Sequence, residues 1–420
     1  MQKTTHWPSI LILGVVIPGA LLFLLAALGF GISSIVGLVT DGEDPAGGMI
    51  ASLSTGFEGI LLACIAWFIV QKSSGRTQAD QPFKLPFSSW HILVAVALGA
   101  VALLLGTAVS FSGIKFLTWL VLPLLTLLLI VPPIWVLLGL GTSKLDFGPR
   151  WRTLGIFGLG MTLGPLIMIV LEFLLLLVVV IVVALIILQE PGKIDELTQL
   201  ASAIQTETDP QALLEMLAPY LFNPSILKLA IGFIAFGVPM IEELFKPLGV
   251  WLFARQIERP AQGFSLGLLS GAAYALVESL GASGRGDTSW AVVVAVRAGT
   301  SLLHIMTTGL MGWAIVAAFR ERRFGRLLAT YLTVVLIHGI WNAAAVGAGL
   351  AVTSDVLRNT SWSVSILPAA LCGVTVLLIG MLVLLFVSNQ RVRKSLANEE
   401  IPASQEQTPL EATERTEGVK

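Results

Sequence analysis

The chain has 420 residues, of which 55% are hydrophobic and only 12% charged, with a formal net charge of -1 and a mean hydropathy of +0.88. A soluble domain carries about a quarter charged residues, so this composition excludes an ordinary soluble enzyme, and the near-neutral charge gives no case for a nucleic-acid partner. The two cysteines, Cys64 and Cys372, both lie in apolar runs, which excludes a disulfide framework or a zinc ribbon.

A helix needs about 20 apolar residues to cross a bilayer. Such runs occur near 8–39, 49–71, 91–114, 117–141, 154–188, 226–254, 263–283, 290–319, 326–350 and 364–388. The first is longer than the apolar core of a signal peptide and lacks a clear cleavage site, so it is expected to stay as a signal anchor. The third and fourth join tightly around Gly113-Ile114-Lys115, where a re-entrant hairpin is the weaker alternative. The fifth is long enough to tilt strongly or to project from the bilayer. The reading is therefore an all-α, polytopic transmembrane bundle of about ten spans in the cell membrane.

Basic residues alternate along the connections. Lys72, Arg76 and Lys84 fill one set, with Lys144, Arg150 and Arg152, Arg255 and Arg259, Arg320 to Arg326, and Arg391 to Lys394. The other set holds only Lys115, Lys193, Arg285 and Arg358, and its first loop, Asp41-Gly42-Glu43-Asp44, is acidic. The positive-inside rule then puts both termini in the cytoplasm. The expected organisation is a five-helix membrane region (1–189), an extracytoplasmic amphipathic loop (190–225), a four-helix membrane core (226–350), a last helix (364–388) and a disordered cytoplasmic tail (389–420). No internal repeat is evident, which weakens a reading as an inverted-repeat transporter.

Ionisable groups inside a bilayer cost several kcal/mol, so each needs a partner or a purpose. Away from their ends, spans one to five and ten contain only Glu58 and Glu172, whereas spans six to nine contain Glu242, Glu243, Lys246, Glu278, Arg297, His304 and His338. In span six Lys246 lies three and four residues after the two glutamates, within reach of either. Pro239 and Pro247 free the carbonyls of Ala235 and Glu243, so this span is expected to be locally opened. In span seven Gly263, Gly267 and Gly271 allow close helix approach, and Glu278 continues that face. Arg297, Ser301, His304 and Thr308 form a polar stripe on span eight, and His338 and Asn342 share a face of span nine. A structural Glu–Lys pair, a Glu278–Arg297 neutralising pair and hydrogen-bonded linker histidines are the bland alternatives.

These residues resemble the PrsW family of membrane proteases, related to the prenyl-protein and bacteriocin-processing proteases. The resemblance covers roughly residues 235–345. It rests on Glu-Glu-x-x-Lys at Glu242, Glu243 and Lys246, an aromatic-x-x-x-Glu at Tyr274 and Glu278, His304, and His-x-x-x-Asn at His338 and Asn342. Tyr274 stands where phenylalanine is more usual, and Glu278 where the wider superfamily tends to have histidine. The resemblance implies hydrolysis of a membrane-associated peptide bond, with Glu242 or Glu243 as base, His338 and Asn342 stabilising the oxyanion, and His304 and Glu278 orienting water or the partner histidine. Lys246, Arg297 and Tyr274 support the site. The implied partner is a membrane-anchored protein, such as an anti-sigma factor or another single-span protein. Zinc is the one cofactor kept open, on Glu242, Glu243, His304 and His338. The lack of a His-Glu-x-x-His helix and the spread of these ligands over three helices put a metal-free glutamate mechanism slightly ahead. A proton-coupled transporter or channel using the same charges, and a catalytically silent membrane scaffold, are the rivals. Pro247→Ala is expected to straighten the sixth span and reduce proteolysis without preventing insertion; unchanged proteolysis in that variant removes the opened-helix argument.

Overall fold

The computed structural model describes residues 6–42, 44–187, 189, 192–356 and 360–405. Glu43, Arg358 and the end of the expected tail, 406–420, lie outside the described residues. Ten helical segments are long and apolar enough to cross a membrane, at the ten places the hydropathy pattern indicates, and no strand occurs among the described residues. The first four spans are single helices: α1 (Trp7–Val39), α2 (Pro45–Ser73), α3 (Ser89–Ser110) and α4 (Lys115–Gly141). Asp44 starts α2 by accepting from the Gly47 N–H at 2.8 Å, with Pro45 in the first turn, where a missing N–H costs nothing.

The fifth span divides at Thr162 into α5 (Arg150–Met161) and α6 (Leu163–Ile187). Pro165 explains the break, because it has no N–H for the Met161 carbonyl and its ring crowds that turn. Two short amphipathic helices follow, α7 (Lys193–Thr206) and α8 (Pro210–Leu221), where one or two were expected. Tyr220 Oη donates to Glu196 Oε1 at 2.7 Å, and Lys193 Nζ pairs with Glu196 Oε2 at 2.8 Å. Both contacts hold the Glu196 carboxyl below its usual range.

The sixth span is interrupted, as its prolines require. It comprises α9 (Pro224–Gly232), a π-helical turn over Phe233–Gly237, α10 (Val238–Phe245) and α11 (Leu248–Phe253). Side chains from neighbouring helices meet its carbonyls. Asn342 Nδ2 donates to Ile234 O at 2.9 Å, Tyr331 Oη to Met240 O at 2.8 Å, and Ser270 Oγ to Lys246 O at 2.6 Å. Within the span, Trp251 Nε1 donates to Leu244 O at 3.0 Å. An opened backbone in a lipid environment needs such partners, since no water is there to supply them.

The remaining spans are α12 (Pro260–Gly281), α13 (Trp290–Glu321), α14 (Phe324–Val356) and α15 (Thr360–Gln405). The tenth span was expected to end at 388 and give way to a disordered tail, but α15 continues to Gln405. The stretch after Val387 keeps good helix formers, and Val392 and Leu396 still pack against the core.

In their most apolar stretches α12 and α13 are 89% and 83% buried, against 39% or less for every other span, so this pair is the centre of the bundle. Helices on the outside, such as α6 with Leu174, Leu177, Val178 and Ile181, present exposed apolar side chains suited to lipid. Cys64 and Cys372 are free and sit on such outer faces of α2 and α15.

The loops gather by charge. Phe83 N donates to Gly148 O, Arg152 Nη1 to Gln256 O, Arg320 Nε to Ile257 O, and Asn389 Nδ2 to Gly141 O, joining the basic connections at one end. At the other end Lys115 pairs with Asp41 at 2.8 Å, and Gly286 N donates to Asp44 Oδ2 at 3.1 Å. The first five spans reach the centre through Trp290, which is fully buried, donates from Nε1 to Thr126 Oγ1 at 2.9 Å, and lies flat where any side chain at Gly106 would be.

The α12–α13 contact depends on glycine. A methyl group at Gly271 would collide with the His304 carbonyl and stand 2.9 Å from Ile305 Cα, both backbone atoms that cannot step aside. Gly271→Ala is therefore expected to destabilise the bundle by about 1–3 kcal/mol, the usual scale of overpacking. Thermal unfolding of the detergent-purified variant checks this, and an unchanged melting temperature shows that the pair relaxes freely.

Candidate active site

Four helices each bring polar groups to one place. On α10 the order Glu242-Glu243-x-x-Lys246 puts both carboxylates on the side from which Lys246 folds back, just before Pro247 ends the regular hydrogen bonding. On α13, Gly271 lets the His304 turn lie directly against α12. On α14, Gly339 follows His338 and packs against the Ala235 carbonyl, the one that Pro239 leaves without an N–H donor. The opened sixth span and the histidine helix thus hold each other in register.

The ammonium of Lys246 is the hub. Its side chain is 0% exposed, and Nζ lies 2.7 Å from Glu242 Oε2, 2.9 Å from Glu243 Oε1, 2.8 Å from His304 Nδ1 and 3.3 Å from His338 Nδ1. It also stands 5.0 Å from the Tyr274 ring centroid, a cation–π distance. Tyr274 in turn meets His304 edge-on at 5.0 Å, and the two imidazoles are 5.5 Å apart.

Each histidine has a carboxylate at one ring nitrogen. His338 Nδ1 is 2.8 Å from Glu243 Oε1, and His304 Nε2 is 2.5 Å from Glu278 Oε2. Arg297 Nη1 holds the other oxygen of Glu278 at 2.9 Å. The expected Glu278–Arg297 pair and the expected Glu278–His304 contact therefore both exist, through different oxygens. The second nitrogen of His338, Nε2, faces Glu242 Oε2 at 3.9 Å.

Single donor atoms of Glu242, His304 and His338 all lie within 4.8 Å of one another, close enough to converge on one metal ion. Glu243 is instead fully enclosed and divides Oε1 between Lys246 and His338, while its Oε2 has no hydrogen-bond partner. Glu242 Oε2 is in ion-pair contact with Lys246, and Glu278 Oε2 with His304 Nε2. Buried acceptors are nearly always satisfied, so the unpartnered Oε2 of Glu243 stands out within this cluster.

Two residues stand apart from their sequence expectations. Asn342 is one turn beyond His338, but its amide donates to Ile234 O in the π turn. Glu172, left out of the sequence-derived site, lies on α6 near enough for the charges of Glu242, Lys246 and Glu278 to act on it. Its only sequence signal is an acid in the middle of an apolar span, a signal it shares with Glu58. Glu58 is 2% exposed on α2, and its Oε1 has no hydrogen-bond partner.

A cluster of acids and imidazoles around a buried cation, inside a ten-span bundle, narrows the classes of protein to consider. The family profile described as PrsW family intramembrane metalloprotease matches residues 148–388, more than half of the chain. No curated protein and no solved structure matches it. The matched region contains every residue of the cluster, including Glu172. The chain is a multi-pass membrane peptidase and belongs to the PrsW family of intramembrane metalloproteases.

Proposed function

We propose that this protein hydrolyses a peptide bond of a membrane-anchored protein, with water activated at the Glu242–Glu243–Glu278–His304–His338 cluster and with zinc as the metal. The observation that carries this reading is the convergence of Glu242, His304 and His338 within 4.8 Å, with an ammonium standing among them as a cation already in place.

The donor set fits a divalent metal. Two histidines and one glutamate with a fourth position left for water is a common arrangement of catalytic zinc sites. Histidine ligands usually place their second nitrogen on a carboxylate, as Glu278 does for His304 and Glu243 for His338. The charge count agrees. Beside the two histidines, Glu242, Glu243 and Glu278 pair with Lys246 and Arg297, which leaves one more carboxylate than ammonium and guanidinium groups. Uncompensated charge in a membrane interior is costly, and a divalent cation offsets it. When bound, zinc would supply Lewis-acid polarisation of the scissile carbonyl and acidify the attacking water.

With Glu242 in the ligand set, Glu243 becomes the base. Its Oε1 is fixed by Lys246 and His338, and its unpartnered Oε2 takes the proton of the water and passes it to the leaving amine. Lys246 pairs with the adjacent carboxylates and presents a positive charge to the developing oxyanion. Asn342 has a second amide hydrogen, so it serves the oxyanion only from the position that the π turn fixes. We place the basic end of the bundle in the cytoplasm, since basic loops favour that side.

The test uses full-length protein in detergent, with zinc content measured by mass spectrometry and cleavage followed on co-expressed single-span membrane proteins. Glu242→Gln is expected to lose both zinc and cleavage. Glu243→Gln is expected to keep zinc while cleavage falls by about 10²-fold or more, the usual scale for a general base. Cleavage that survives Glu242→Gln overturns the site assignment. Cleavage insensitive to chelators, in protein without zinc, assigns the cation role to Lys246 alone.

A further inference from the structure

A second site lies at the basic end of the bundle, away from the acid–imidazole cluster. A cavity of about 460 Å³ opens where α12 and α14 begin, α13 ends and α15 leaves the core. Arg259, Arg323, Arg326 and Arg391 line it, against a single acid, Glu321. Glu321 Oε2 is occupied by Arg323 Nε at 2.9 Å. Among the described residues no carboxylate pairs with Arg259, Arg326 or Arg391, so three guanidinium groups from three different chain segments surround one space whose single carboxylate, Glu321, is already paired with Arg323.

The interior of the cavity is of the opposite character. Phe264, Leu310, Trp313 and Leu384 form an apolar inner wall between α12, α13 and α15. Arg326 lies over the Trp313 ring, 5.1 Å from its centroid, so the aromatic face aims the guanidinium while leaving its N–H groups free. The arginines stand at, or within two turns of, the ends of helices long and apolar enough to cross a membrane, where a bilayer surface is expected. A ligand that satisfies both halves needs an anionic group at that level and hydrocarbon below it.

We propose that this cavity is a binding site for an anionic phospholipid, with its phosphate among Arg259, Arg326 and Arg391 and the start of its acyl chains against Phe264, Trp313 and Leu384. Basic pockets between transmembrane helices hold anionic headgroups in this way. A soluble phosphate would satisfy the arginines but leave the apolar wall unused, and a zwitterionic lipid would bring its own positive charge against three others. The site does not depend on the proteolytic reading, because none of its residues contacts the cluster around Lys246.

Native mass spectrometry of the full-length protein, delipidated in detergent and titrated with phosphatidylglycerol or phosphatidylcholine, tests the proposal. Wild type is expected to retain phosphatidylglycerol in clear preference to phosphatidylcholine. An Arg326→Gln/Arg391→Gln double variant is expected to bind phosphatidylglycerol roughly 10-fold more weakly, given the contribution of each basic residue near a lipid surface. Lys84→Gln, at the same end but outside the cavity, should leave binding unchanged. Equal retention of the two lipids by wild type overturns the proposal without reference to any variant. So does a double variant that unfolds at the wild-type temperature and still prefers phosphatidylglycerol. Displacement of phosphatidylglycerol by millimolar inorganic phosphate assigns the site to a soluble anion and overturns the lipid reading.

Discussion

An ammonium group enclosed by four partners organises this structure. Lys246 has no access to solvent, and a lysine so placed is tolerable only when acceptors surround it. Two come from its own helix and two from histidines on α13 and α14. The helices must therefore meet at fixed depth and rotation, because a shift of one turn by either would leave a buried charge alone. The glycine contacts of α12 on α13 and of α14 on the sixth span are consequences of that demand, as they let the backbones approach until the side chains can touch.

The broken sixth span serves the same end. A regular helix would carry Glu242, Glu243 and Lys246 past the two histidines at a fixed pitch. The π turn at 233–237 and the end of regular pairing at Pro247 set this short piece apart. Carbonyls of the interrupted span are then met by Asn342 and Tyr331 from α14 and by Ser270 from α12. Residues that hold the opened backbone and residues that do the chemistry are thus interleaved on the same elements.

Much of this was legible from sequence because lipid imposes strict rules. The ten spans follow from apolar run lengths, and the gathering of the motif residues follows from how rarely acids and histidines occur inside them. Pro239 and Pro247 announced the opened helix. The π turn did not show, since its stabilising partner, Asn342, comes 108 residues after Ile234 and carries no local mark of that role. Asn342 itself was assigned to the oxyanion by resemblance alone, and its hydrogen bond gives it a structural duty first. Glu172 was passed over because an isolated acid in an apolar span reads the same whether it faces lipid, a neighbour or a reaction site. Glu58, identical by that measure, is buried on α2 with no hydrogen-bond partner for its Oε1.

The indole of Trp290 bears on where this protein begins, in a functional sense. The region matched by the family starts at residue 148, yet Trp290 opens the helix that carries His304 and lodges in a recess made by α3 and α4, from the part of the chain before that boundary. Cut away those earlier spans and a tryptophan is stripped of its acceptor and its packing surface at one end of the histidine helix. The leading third of the molecule is accordingly part of the packing that anchors the start of the histidine helix, although the family match begins after it.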